Sequence, residues 1–278
     1  MFVSVADCFN IAYGCGMRFC ALDAAFSKHA IYCDGHLHLL TTRDGNNKII
    51  VLAWALCETE SGPTYKWFAD QCHAAGIGRY LGQNTVIFTD RMKGIKHFFD
   101  VFNRAKQGHC FQHILGNAKK HIRGTGRTFE DKAAWAMRNA PTEAKFRAAL
   151  ERVRAQSPAA AHYFDTKVDH LLAYQYALNE AGVPTHNFKT SQIVECMNGV
   201  FADARMLTPY YLNNVILSWI GNEIDARATF LRKWALEKKH ILTPYCARLW
   251  AIQVRAHACL VPRACVGPTN KSVCVRAD

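Results

Sequence analysis

Long hydrophobic runs are missing from this chain. No stretch approaches the roughly 18 to 20 uninterrupted apolar residues that span a bilayer, so no membrane role is expected. The start, Met1-Phe2-Val3-Ser4-Val5-Ala6-Asp7, has no basic residue and is interrupted by Asp7, so a secretory signal is not expected either. Internal repeats and low-complexity tracts are absent. Cysteine is plentiful, at 12 residues, but lacks the tight spacing of a disulfide framework. Reduced, buried thiols are therefore the expectation. In the tail, Cys246, Cys259, Cys265 and Cys274 contain no Cys-x2-Cys pair, so no zinc site is expected there. Acid is in short supply, with 22 Asp and Glu against 34 Lys and Arg and a formal net charge of +12. That balance suits a polyanionic partner, because Lys and Arg contacts to phosphates release counterions and bind without regard to sequence.

What is present is enough for one large core or two smaller ones: 278 residues, half of them apolar. The central stretch is Met17-Arg18-Phe19-Cys20-Ala21-Leu22-Asp23-Ala24-Ala25-Phe26, an apolar run ending in a carboxylate. As a strand it sets Phe19, Ala21 and Asp23 on one face and Cys20 and Leu22 on the other. Asp23 alone reads as a turn cap. A second run of the same design, Thr85-Val86-Ile87-Phe88-Thr89-Asp90, makes the pair a candidate metal site. Between them, His36–Thr41 and Lys48–Leu56 read as strands joined by Arg43-Asp44-Gly45-Asn46-Asn47, a strong hairpin signal. Tyr65, Phe68 and Cys72 then mark an amphipathic helix. A right-handed crossover through that helix would lay the Asp90 strand parallel to the first and beside it.

Beyond Asp90, Ile95, Phe98, Phe99 and Phe102 predict another helix, and a short strand is expected from Gly108 to Phe111. From Ile114 to about Ala181 the chain becomes Ala-rich, with basic positions Lys119, Lys120, Arg123 and Arg127, and prolines at 141, 158 and 184 as punctuation. Lys132–Arg138 and Thr142–Ala155 have helical periodicity, the second with a plausible cap at Pro141-Thr142. This region is expected to be a helical insertion. Thr190-Ser191 precedes a stripe of Ile193, Val194, Met197, Val200, Phe201 and Ala204, with Glu195 opposite it beside Ser191, Asn198 and Ala202. A Glu so placed is ordinarily solvated. Helix continues through Tyr210–Leu236, and the tail from Pro244 shows little pattern.

Strand-Asp, hairpin, helix, strand-Asp is the order of ribonuclease H-like folds, and within that class residues of about 15 to 235 resemble the catalytic domain of Mutator-like element (MULE) transposases. The resemblance rests on five blocks in order. Leu22-Asp23-Ala24-Ala25-Phe26-Ser27-Lys28 is similar to the first-aspartate block. Arg43-Asp44-Gly45-Asn46-Asn47 with Val51-Leu52-Ala53-Trp54-Ala55 and Glu58 resembles the hairpin and third strand. Thr89-Asp90-Arg91-Met92-Lys93-Gly94 resembles the second-aspartate block, and His109-Cys110-Phe111-Gln112-His113 the Cys-x2-His element after it. Thr190 to Asn198, with Arg205 beyond, is similar to the block that carries a glutamate.

The resemblance implies an α/β fold: a ribonuclease H-like mixed sheet of three antiparallel strands plus parallel strands, with an all-helical insertion. It divides the chain into a first part of the core (1–113), the insertion (114–185), the remainder of the core (186–235) and a tail (236–278). Asp23, Asp90 and Glu195 would be the catalytic, metal-binding triad, holding two Mg²⁺ or Mn²⁺ ions for DNA cleavage and strand transfer. Zinc is not expected, since Cys110 and His113 supply only half a site. Lys93, Cys110, His113, Lys119, Lys120 and Arg123 are the candidate DNA contacts. The partners implied are transposon ends and target DNA, with a homo-oligomer as the active form and the nucleus as location. The family's flanking zinc-binding domains find no room here, so a truncated or domesticated copy is expected. The alternative is a catalytically inactive, transposase-derived DNA-binding or regulatory protein.

Overall fold

A computed structural model describes residues 1–14, 18–82, 84–236 and 242–257. Met17 at the head of the expected first strand, and Cys259, Cys265 and Cys274 of the tail, lie outside the described residues. The chain opens with β1 (Phe2–Ser4) and α1 (Ala6–Gly14), then β2 (Phe19–Phe26), β3 (His36–Arg43) and β4 (Ile49–Cys57). Next come α2 (Gly62–Ala74), β5 (Val86–Thr89), α3 (Lys96–Val101) and β6 (Lys106–His109). A helical stretch follows: α4 (Phe111–His121), α5 (Asp131–Arg138), α6 (Glu143–Gln156), α7 (Pro158–Thr166), α8 (His170–Ala173) and α9 (Gln175–Glu180). It ends with α10 (Gln192–Val200), α11 (Pro209–Leu236) and α12 (Pro244–His257).

The described strands form one open mixed sheet in the order β1-β4-β3-β2-β5-β6. The meander β2-β3-β4 is antiparallel, and β5 and β6 continue it in parallel, as the sequence predicts. The hairpin turn works as its residues suggest. Asp44 Oδ1 accepts the N–H groups of Asn46 and Lys48, both at 2.9 Å, and Asn47 takes the left-handed φ of 66° that asparagine tolerates. Arg227 of α11 then clamps the turn, its Nε donating to Asp44 Oδ2 at 2.9 Å.

Alternation along the strands decides which helix covers which face. His38, paired with Ala24 and Ala55, points at Tyr65 and Phe68 of α2. Leu39, paired with Asp23 and Trp54, belongs to the opposite face, where Trp54 Nε1 donates to Asn213 of α11 at 3.2 Å. Helices thus cover both faces, and Asp23 looks towards the α10–α11 side.

The helical stretch builds a core of its own from Phe111, Ile114, Leu115, Phe146, Phe164 and Tyr174, all buried. Each such side chain contributes about 1.5–3 kcal/mol on burial. Leu178 and Val183 belong instead to the core around the sheet. The predicted helices at 132–138 and 142–155 are α5 and α6, with Thr142 capping α6 by accepting the Lys145 N–H.

Three elements differ from expectation. The short strand lies earlier, at Lys106–His109, and Cys110 is the N-cap of α4 with an extended backbone (φ −61°, ψ 114°). Phe111 and His113 are therefore helical, because the Phe111 ring is drawn into the insertion core against Trp135 and Tyr174. The first residues, too few and too mixed to predict as a strand, form β1 along the outer edge of β4, where pairing satisfies exposed backbone groups. The tail from Pro244 is helical: Thr243 Oγ1 accepts the Cys246 N–H at 3.3 Å and donates to Gly45 O at 2.6 Å. Its apolar residues Leu249, Trp250 and Ile252 are exposed, which is why no buried stripe was legible.

Candidate active site

Parallel pairing brings the two aspartates together. Phe19, Cys20 and Ala21 of β2 are matched with Val86, Ile87 and Phe88 of β5, so the same register carried two residues further sets Asp23 beside Asp90. On the other flank Thr89 is matched with His109, which sets Cys110 next to Asp90, and the Cys110 N–H donates to Thr89 O at 2.8 Å. Asp23 is not at a strand end as expected. β2 runs on through Ala24, Ala25 and Phe26, which pair with His38, Leu37 and His36. It is β5 that stops, and Asp90 is the first residue beyond it. The pair therefore sits where the parallel and antiparallel parts of the sheet meet, with the chain leaving β5 above it.

Asp23 is held and crowded. Asn198 Nδ2 donates to its Oδ2 at 2.9 Å. Burial pushes its carboxyl up to about 7, and Asp90 adds to the rise; His113 opposes it, and Glu195 and Glu60 raise it further. Asp90 Oδ1 accepts the Met92 N–H at 2.9 Å. The loop after Asp90 passes so close to the start of α2 that a Cβ on Gly94 would lie 2.8 Å from the Gly62 nitrogen.

Glu195 comes from α10, one turn before Asn198 on the same face. That face turns to the sheet rather than to bulk water: Asn198 is buried, and the Glu195 carboxylate has three neighbours. Ser191 Oγ donates to Oε1 at 2.9 Å, the Cys110 thiol lies at 3.8 Å and His113 Nδ1 at 3.7 Å. The Cys110 sulfur beside it lifts the His113 imidazole to about 9, against its partial burial and with help from Glu195 and Asp23. Burial alone would push the Cys110 thiol up, but His113 and Ser191 outweigh that and leave it below its ordinary value. Arg205 ties the arrangement down, donating to Phe26 O at the end of β2 and to Asn198 O in α10.

The structure thus groups Asp23, Asp90, Glu195, Cys110 and His113 at one end of the sheet, with Glu195 lying nearer the Cys–His element. Lys93 is exposed in the 3-10 turn Lys93–Ile95 that follows Asp90, not in the first turn of an α-helix. Lys119, Lys120 and Arg123 are not part of this group. All three are exposed: Lys119 and Lys120 at the far end of α4, roughly 10 Å along its axis from His113, and Arg123 in the turn just beyond, and Lys119 pairs with Asp131 at 2.7 Å. Sequence reasoning missed Asn198 and Ser191 as partners of the acids, although each is a helical neighbour of Glu195. It also missed Glu60, whose Oε1 accepts from Tyr65 at 2.7 Å. Glu60 sits in a loop, where no spacing rule points to it.

An open mixed sheet with carboxylates gathered at the C-terminal ends of its parallel strands defines an α/β domain with an acidic centre. The sequence model of the MULE transposase domain matches residues 19–117, the span that carries both aspartates and the Cys-x2-His element. That match points to a transposase-related function and to interaction with DNA. No curated protein matches the chain. Among the described residues, no helix is long and apolar enough to cross a membrane.

Proposed function

We propose that the chain is the catalytic core of a DDE-type transposase that cleaves and joins DNA strands with two Mg²⁺ or Mn²⁺ ions. The observation that carries the reading is the side-by-side placement of Asp23 and Asp90, with the Asp23 carboxyl pushed up to about 7 by burial and by its acidic neighbours. Carboxylates gathered in this way are held against their own repulsion. The hard oxygen donors of Asp23, Asp90 and Glu195 fit small divalent cations, which would relieve that repulsion. Such ions, when bound, supply the positive charge that activates an attacking oxygen and steadies the leaving one in an in-line phosphoryl displacement.

The protein's own groups do the positioning. Asn198 fixes the rotamer of Asp23, the Met92 N–H fixes that of Asp90 and Ser191 that of Glu195. Lys93 lies one turn past Asp90, where its cation would meet a backbone phosphate. Lys120 on α4 and Arg123 in the turn after it would grip the DNA backbone away from the centre, and Cys110 and His113 would border its path. In this reading the helices of 114–185 are an insertion on the core of 1–113 and 186–235. DNA ends and target are the partners, the nucleus is the location and a homo-oligomer is the working form.

The test is Mg²⁺- or Mn²⁺-dependent nicking or strand transfer on duplex DNA, with Asp90→Asn as control. Activity that falls about 100-fold or more in Asp90→Asn while DNA binding persists is the expected result. Salt-sensitive DNA binding with no cleavage by the parent chain would overturn catalysis and favour a regulatory DNA-binding protein. The formal charge of +12 is what favours that second reading.

A further inference from the structure

We propose that Cys110, His113 and Glu195 form a second, softer metal site that takes Zn²⁺, with Glu195 shared between it and the oxygen-donor site of the aspartates. The sequence shows half a zinc set in Cys110 and His113. The fold supplies a third donor from 82 positions later, since one ligand atom of each residue lies within 4.8 Å of the other two. A tetrahedron with metal–ligand bonds of about 2.0–2.3 Å has edges of about 3.5 Å. The edges to Glu195 Oε1 are 3.8 Å from the sulfur and 3.7 Å from Nδ1, so small side-chain movements close the set.

A second, independent observation points the same way. His113 Nδ1 is shut off from solvent, makes no hydrogen bond of ordinary length and faces this triangle, with the Cys110 sulfur beside the ring and Glu195 Oε1 at 3.7 Å. The donors are a thiolate, an imidazole and a carboxylate, the mixed soft and hard set that suits Zn²⁺ and not Mg²⁺. Coordination releases the Cys110 thiol proton to solvent and replaces any proton on Nδ1. Cys110 is fully buried, but the His113 side chain is 42 % exposed and that of Glu195 34 %, so the fourth position opens to water or to a ligand atom.

The scaffold is fixed before any metal arrives. Cys110 is the N-cap of α4 and His113 follows within its first turn, so backbone geometry sets their separation. Ser191, the N-cap of α10, holds Glu195 of that same helix. Because a carboxylate drawn to zinc is withdrawn from Asp23 and Asp90, Zn²⁺ occupancy would act as a brake on the proposed reaction. That consequence rests on the proposed function, whereas zinc binding itself does not.

The experiment is titration of the full chain with Co²⁺ alone, followed by displacement with Zn²⁺. A sulfur-to-cobalt charge-transfer band with tetrahedral visible bands is expected, saturating at one ion and lost on adding Zn²⁺. Cys110→Ser should abolish the charge-transfer band. His113→Gln, a half-exposed position that tolerates change, should weaken Zn²⁺ binding about tenfold or more. Asp23→Asn should leave the cobalt spectrum unchanged. A wild-type band retained in Cys110→Ser, or unaltered Zn²⁺ affinity in His113→Gln, would overturn the site, as would the lack of any charge-transfer band in the parent chain. Loss of DNA cleavage in Asp90→Asn with the cobalt spectrum intact would separate this site from the proposed activity.

Discussion

Neutralising Asp23 should stabilise the metal-free protein at alkaline pH, at the expense of any metal-dependent activity. A carboxyl raised from 3.8 to about 7 in the folded state holds its proton more tightly folded than unfolded. Stability from this group is therefore fully present below pH 4 and lost as pH rises towards 7 and beyond. The full shift corresponds to about 4 kcal/mol, an upper limit. Sharing of protons among Asp23, Asp90 and Glu195, and water at the half-buried rim, reduce it to about 2 kcal/mol. Asp23→Asn keeps an oxygen to accept from Asn198 and removes the charge. In thermal unfolding at pH 8 with a chelator, the variant should melt about 5 °C above the parent, and the gap should narrow on acidification and close only below the unfolded carboxyl's pKa of 3.8. Mg²⁺ should raise the melting point of the parent and not of the variant. A variant that melts lower than the parent at pH 8, or a gap that does not change with pH, would refute a crowded, charge-strained centre.

His38 supplies an opposite pH dependence. It is fully buried against Tyr65 and Phe68, neither ring nitrogen has a hydrogen-bond partner, and burial pulls its pKa down from 6.5 to about 4. The unfolded chain takes up a proton that the folded one refuses, so the parent should lose about 3 kcal/mol between pH 6.5 and 4. His38→Leu should flatten that acid limb in urea unfolding. Gly94→Ala should destabilise the protein by about 1–3 kcal/mol, because the added methyl meets the backbone of Gly62 and Ser61 at 2.8–3.2 Å. Chemical denaturation with an unchanged slope would register the loss as one of stability.

Much of the sheet was legible because its signals are local. Asp44 to Asn47 encode a turn by their own side chains, and the alternation of β2 and β3 puts His38 and Leu39 on opposite faces before any partner is known. Even the meeting of Asp23 and Asp90 follows from a single assumption, a right-handed crossover through α2. The same local reasoning failed at Cys110 and Phe111. A short apolar segment there fits strand or helix equally well, and only the pull of Phe111 into the insertion core decides for helix.

What surrounds the acids came from long-range packing. Nothing in the order of residues says that Asn198 will hold Asp23 across 175 positions, that Glu60 will add its charge from a loop, or that Glu195 will rest against Cys110 and His113. Residue order was enough to bring the two aspartates to the end of the sheet, because strand period and crossover hand are properties of the backbone. Which donors complete each cluster was settled by the packing of α4 and α10 against that end, since side-chain distances of a few ångströms depend on every contact that seats those helices.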